Sequence, residues 1–132
     1  MKSDSVGCYS SNQIIVADTD NNQVHIFDPT GNPIKSIGKF GSAVGEFNSP
    51  HCVDTDSLDR IIVSDTSNHR IQIFDSDGNL IKVIGSFGSG IGEFNSPYCA
   101  AVDFFDRIIV TDTGNNRIQI FDSDGNILAL IG

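Results

Sequence analysis

The chain of 132 residues is 39% hydrophobic and 19% charged, a balance that excludes a disordered or low-complexity chain, and no apolar run approaches the ~20 residues of a bilayer-spanning helix. Acidic residues outnumber basic ones by 17 to 8, a formal net charge of −9 with a pI near 4.4. With no visible Lys/Arg cluster, that surface repels phosphate backbones and disfavours RNA or DNA as a partner.

No apolar segment of signal-peptide type follows Met1-Lys2-Ser3-Asp4-Ser5, so the reading is a cytoplasmic protein without membrane association. From there the chain is one pattern written three times at a spacing of 47 residues. The clearest copy is Arg107-Ile-Ile-Val-Thr-Asp-Thr-Gly-Asn-Asn-Arg-Ile-Gln-Ile-Phe-Asp-Ser-Asp-Gly-Asn126; Arg60 and Gln13 open its two predecessors. A fixed period of this length that carries strands and no helical pattern marks an all-β, propeller-type array whose units lean on their neighbours. The spacing divides the single repeat domain 1–132 into units at about 3–38, 50–85 and 97–132, with interblade loops at 39–49 and 86–96.

Each unit reads as four strands. Strand A is irregular at 3–11, where the Pro and Asp of Pro50-His-Cys-Val-Asp-Thr-Asp56 and Pro97-Tyr-Cys-Ala-Ala-Val-Asp103 are missing, so it is expected to be weakly held. Strand B falls at 14–17, 61–64 and 108–111, strand C at 24–27, 71–74 and 118–121, and strand D at 34–37, 80–84 and 127–131. Strands B and D carry consecutive apolar residues, which predicts that both of their faces are covered. Asp56-Ser-Leu-Asp-Arg60 fits a short A–B hairpin, and Gly31, Gly78 and Gly125 suit the C–D turns. The interblade loops are Gly-rich, yet Phe40/Phe47 and Phe87/Phe94 recur in them, which predicts that these aromatics plug the wedge between blades.

The three cysteines cannot all pair within one chain; Cys52 and Cys99 share a repeat position whereas Cys8 aligns with Thr55. The reading is three reduced, apolar core cysteines. Asp18, Asp65 and Asp112 end strand B in every unit; repetition favours a turn-tying role over a cation-binding rim. Asp-Ser-Asp-Gly-Asn at 75–79 and 122–126 begins like a calcium loop but lacks the later ligands, so the reading is a plain hairpin turn. His25, His51 and His69 fall at three different repeat positions, so no metal set, cofactor or catalytic group is expected, although His51 at the channel mouth would occur twice across a two-fold axis. Arg70 and Arg117 close the B–C turns, where a bond to Asp65 or Asp112 competes with a role in reading an anionic ligand.

Gly-Ser-Gly-Ile-Gly-Glu-Phe-Asn95, Pro97, Ala-Val-Asp103 and the run from Arg107 to Asn126 together resemble an NHL repeat; the second unit matches as well and the first less well, with Cys52 and Cys99 standing where glycine is common. The resemblance implies a β-propeller, usually of six four-stranded blades, that acts most often as a recognition platform. Relatives include the last domain of tripartite-motif ubiquitin ligases and translational regulators, some of them RNA-binding, and metal-dependent lyases or lactonases. No RING or B-box pattern is present here.

Three blades cover half such a ring and leave a bare apolar flank at each end, so the expectation is a two-fold homodimer that closes a six-bladed ring through an interface of about 2,000 Å² or more. The expected function is a non-catalytic scaffold whose loop face engages a protein or peptide through His51, Tyr98, Asn68, His69, Arg70, Asn115, Asn116 and Arg117. An RNA-binding domain and a metal-dependent lyase or lactonase are the alternatives.

Overall fold

The computed structural model describes residues 13–132 and, as backbone, the strand Ser5–Cys8. The chain forms three four-stranded antiparallel sheets, each strand paired with its sequence neighbour. Blade one comprises β1 (Ser5–Cys8), β2 (Ile14–Asp18), β3 (Gln23–Phe27) and β4 (Pro33–Ile37). Blade two comprises β5 (Pro50–Thr55), β6 (Ile61–Asp65), β7 (Arg70–Phe74) and β8 (Leu80–Ile84). Blade three comprises β9 (Pro97–Val102), β10 (Ile108–Asp112), β11 (Arg117–Phe121) and β12 (Ile127–Ile131). The side chains of β1 and the strength with which that strand is held lie outside the described residues.

Local chemistry accounts for the turns. Between strands B and C the chain makes a single 3₁₀ turn, Thr19–Asn21, Thr66–Asn68 and Thr113–Asn115, closed by a left-handed residue, Asn22, His69 or Asn116. Asparagine tolerates that conformation because its short polar side chain bonds locally. Between strands C and D, Asp75 Oδ1 accepts the N–H groups of Asp77 and Asn79, both at 2.9 Å, and Asp122 does the same with Asp124 and Asn126. These aspartates are turn-formers, as an Asx-type loop requires.

The core lies between sheets, not within one. Ile15, Val24, Ile26 and Ile37 of blade one pack on Phe47, Val53, Ile61, Val63 and Phe74. One period on, Ile62, Ile71, Ile73 and Ile84 pack on Phe94, Ala100, Ile108, Val110 and Phe121. Blade two, flanked on both sides, is buried along the whole of β6 and β7. In blade three the buried positions of β10 and β11 alternate with exposed or half-buried ones, because nothing covers its outer flank among the described residues.

Three expectations are corrected. Strand D is not covered on both faces: β4 and β8 are exposed over most of their length and β12 throughout, because the clusters between sheets are built on the other strands and only the last residue of β4 and β8, Ile37 and Ile84, reaches them. Of the two aromatic pairs, only Phe47 and Phe94 fill the wedge, each 0% exposed, while Phe40 and Phe87 are about two-thirds exposed at 68% and 67%. The cysteines are not all reduced: Cys52 and Cys99 form a disulfide across blades two and three. Their shared repeat position, read as an argument against pairing, is what brings them together, because successive strands A lie side by side and set the two Cα atoms 5.0 Å apart. No helix among the described residues is long and apolar enough to cross a membrane.

Candidate functional site

The B–C turns and interblade loops form one face of the array, and a buried carboxylate at the end of each strand B organises it. Asp65 is 0% exposed. Its Oδ1 accepts Asn48 N–H at 2.8 Å, and its Oδ2 accepts Asn68 Nδ2, Arg70 Nε and Gln72 Nε2 at 3.0, 2.7 and 3.1 Å. Asp112 repeats the set with Asn95, Asn115, Arg117 and Gln119. Burying a carboxylate is costly unless it is both paired and fully hydrogen-bonded, and both conditions hold here.

Arg70 then spends the rest of its guanidinium on the loop below it, donating to the carbonyls of Ser42, Ala43 and Glu46. Arg117 donates likewise to Ser89, Gly90 and Glu93. Asn68 and Asn115 each donate to a loop carbonyl as well, Gly41 and Gly88. Four of the eight sequence-expected face residues thus fasten a Gly-rich loop to its own blade. His69 fastens the next blade instead, its Nδ1 accepting Ser96 N–H at 2.9 Å while Phe87 meets the ring edge-on. Asn116, its counterpart on blade three, is exposed.

His51 and Tyr98, at the heads of β5 and β9, stack with centroids 4.6 Å apart and planes 19° from parallel. Tyr98 is 49% exposed, so this pair is the aromatic surface that the array offers on its inner strands. Loop residues Phe40, Val44, Phe87 and Ile91, all at least 67% exposed, add apolar surface that sequence reasoning had assigned to the wedge or passed over. The A–B hairpin of blade three presents Phe104 and Phe105, 97% and 76% exposed, with Arg107 lying over the Phe105 ring. Adjacent aromatics in a turn bounded by aspartates were the sequence signal for this prong. An open groove of about 430 Å³ runs along the outer wedge of blades two and three, between Ile84, Gly92, Phe121 and Asn126.

Among the described residues no three His, Cys, Asp or Glu side chains come together as a metal-binding group. His25 lies beside Asp18, with its Nε2 at 2.9 Å from Oδ2 and its Nδ1 at 2.7 Å from Ser36 Oγ. Burial works to raise the Asp18 carboxyl, but the hydrogen bonds from Asn21 and His25 outweigh it and hold the group below its ordinary value.

Stacked four-stranded sheets of this order define an all-β, propeller-like protein, and solved structures carry the same arrangement. The streptogramin B lyase structure superposes with a TM-score of 0.73 at 16% identity over 96% of this chain and 39% of that one. Virginiamycin B lyase from Staphylococcus aureus gives 0.72 at 13% identity over 96% and 40%, and Kuenenia stuttgartiensis hydrazine synthase 0.74 at 11% over 99% and 37%. The likeness is one of fold, and the chain spans about two-fifths of the length of these proteins. Within that class, the NHL-repeat family profile matches residues 47–74 and 94–121, the two stretches that run from Phe47 to Phe74 and from Phe94 to Phe121. No curated protein sequence matches the chain.

Proposed function

We propose that the chain is a non-catalytic binding module that pairs with a second copy to close a ring of blades and presents the B–C and interblade loops to a protein or peptide. One observation carries the reading. The outer flank of blade three bears Ile109, Thr111, Ile118, Ile120 and Ile131, half-buried or exposed. These are the repeat counterparts of Ile62, Ser64, Ile71, Ile73 and Ile84, which blade two buries to 5% exposure or less against blade three.

Polar groups on the same flank support it. Thr19 and Thr66 donate across to the carbonyls of Pro50 and Pro97, both at 2.8 Å, whereas Thr113 turns back to Thr111 at 3.4 Å. Asn22 and His69 accept from Ser49 and Ser96 of the next blade, and Asn116 stands ready to do the same. A face that asks for the next blade at each end is self-complementary in a two-fold pair.

Sedimentation analysis tests the closure: the expected species has about twice the 14.2 kDa chain mass, and Ile120→Lys on the bare flank abolishes it. A monodisperse monomer sinks the proposal. A stoichiometric divalent cation in the purified protein, or salt-dependent retention of single-stranded RNA, would move the function to the lyase-like or RNA-binding reading.

A further inference from the structure

Blades two and three each hold an extended segment in a groove along strands B and C. On blade two, Asp65 Oδ1 takes Asn48 N–H at 2.8 Å, Gln72 takes Gly45 N–H at 2.9 Å and donates to Glu46 O at 2.7 Å, and Phe47 meets Phe74 edge-on at 5.7 Å. Blade three binds Asn95, Gly92, Glu93 and Phe94 in the same four ways through Asp112, Gln119 and Phe121. Both segments read Gly-Glu-Phe-Asn.

Blade one offers a counterpart groove through Asp18 and Phe27, with His25 in the place of the glutamine and its ring nitrogens on Asp18 and Ser36, and among the described residues no such segment fills it. Asp18 is 2% exposed, yet its Oδ1, the atom that receives an asparagine N–H in the other two blades, has no hydrogen-bond partner. A buried acceptor left open is a strong demand for a donor. Phe27 is half-buried where Phe74 and Phe121 are 1% exposed, and the described ring beside it is His25, 6.2 Å away.

We propose that this flank is a peptide-binding site and that its ligand is an extended, phenylalanine-anchored segment carrying Gly-Glu-Phe-Asn. The asparagine N–H supplies the donor to Asp18, the phenylalanine sits edge-on to Phe27, and the glycine permits the left-handed turn seen at Gly45 and Gly92, φ +80° and +81°. The blade-one wall belongs to each chain. The inference rests on the ring closure proposed above only for the far wall, where Ile109, Ile118, Ile120 and Ile131 of a second copy would stand as Ile15, Val24, Ile26 and Ile37 stand around Phe47. The copy covers the inner part of the flank and leaves the outer wedge to the peptide.

The test is calorimetric titration of the full chain with a synthetic peptide of residues 86–95, alongside the same peptide carrying Phe94→Ala, with the chain's mass measured in the same buffer. Saturable binding at one peptide per chain, weakened about tenfold or more by Phe94→Ala, is expected. A dimer that ignores the peptide, or binds both peptides equally, overturns the site and leaves the ring intact. A monomer that binds with the same phenylalanine dependence upholds the site and overturns the ring; a monomer that does not bind overturns both. Because the variation is in the peptide, no outcome depends on a mutant chain folding.

Discussion

The ring of Phe94 meets the edge of Phe121 with centroids 5.7 Å apart, and Phe47 makes the same contact with Phe74 one period earlier. Each pair ties an interblade loop to the strand C below it, and each is buried to within 1%. Phe94→Ala is expected to cost about 3–5 kcal/mol of unfolding free energy by urea titration, the range for truncating a buried aromatic. Phe104→Ala, at a side chain 97% exposed, is expected to change it by under about 0.5 kcal/mol.

Gly85 lies under the same ring. Its φ is +90°, and a Cβ there would stand 2.3 Å from the Phe94 ring. Gly85→Ala is therefore expected to destabilise the chain through both backbone strain and displacement of the plug, whereas Gly31→Ala, with a φ of +90° but nothing within 4 Å, bears the strain alone. Comparable thermal midpoints for the two variants would contradict this.

The Cys52–Cys99 disulfide closes a 47-residue separation between two blades. In the chain-entropy account a loop of that size stabilises by about 4 kcal/mol. Dithiothreitol, or the double variant Cys52→Ser with Cys99→Ser, is expected to lower the thermal midpoint by several degrees, and the reductant to have no further effect on the double variant. Intact-mass measurement after alkylation, showing both thiols free in the untreated protein, would contradict the pairing.

Arg70 is buried with its Nε 2.7 Å from Asp65 Oδ2. Arg70→Ala strands a carboxylate that is 0% exposed and is expected to cost about 3–5 kcal/mol. Gln23, the blade-one counterpart, donates among the described residues only to Gly38 O at 3.4 Å, and Gln23→Ala is expected to cost under about 1 kcal/mol.

Acid sensitivity follows from the C–D turns. The N–H of Asn32, with the Thr30 hydroxyl, lowers the Asp28 carboxyl from 3.8 to about 2, and Asp75 and Asp122 are lowered by Asn79 and Asn126. Groups lowered by folding contribute stability that is fully present above the ordinary carboxylate value and lost as pH falls through the folded one. Their contribution is therefore expected to be constant above pH about 5 and to decline between about 4 and 2. Asp28→Asn should flatten part of that decline in thermal midpoints measured against pH.

Much of the architecture was legible because the repeat is short-range chemistry written three times. Apolar runs and turn residues placed the strands within a residue or two, and Asp-Ser-Asp-Gly-Asn was read as a plain hairpin turn from its residues alone. The 3₁₀ turn between strands B and C was not read, since Thr-Ser-Asn and Thr-Gly-Asn carry no periodic signal. The face residues were legible as a set but not in their roles: Arg70 and Arg117 sit in turns, as expected, yet each donates to three loop carbonyls.

By itself the sequence determined the number of blades, the order of their strands and the residues that must turn, because those depend on neighbours along the chain. Only the tertiary structure decided which of two phenylalanines in each loop is buried, that Cys52 meets Cys99, and that Asp18 keeps an unanswered acceptor where Asp65 and Asp112 are satisfied. Those outcomes depend on what stands beside a blade in space, and identical repeats acquire different surroundings only when they are stacked side by side.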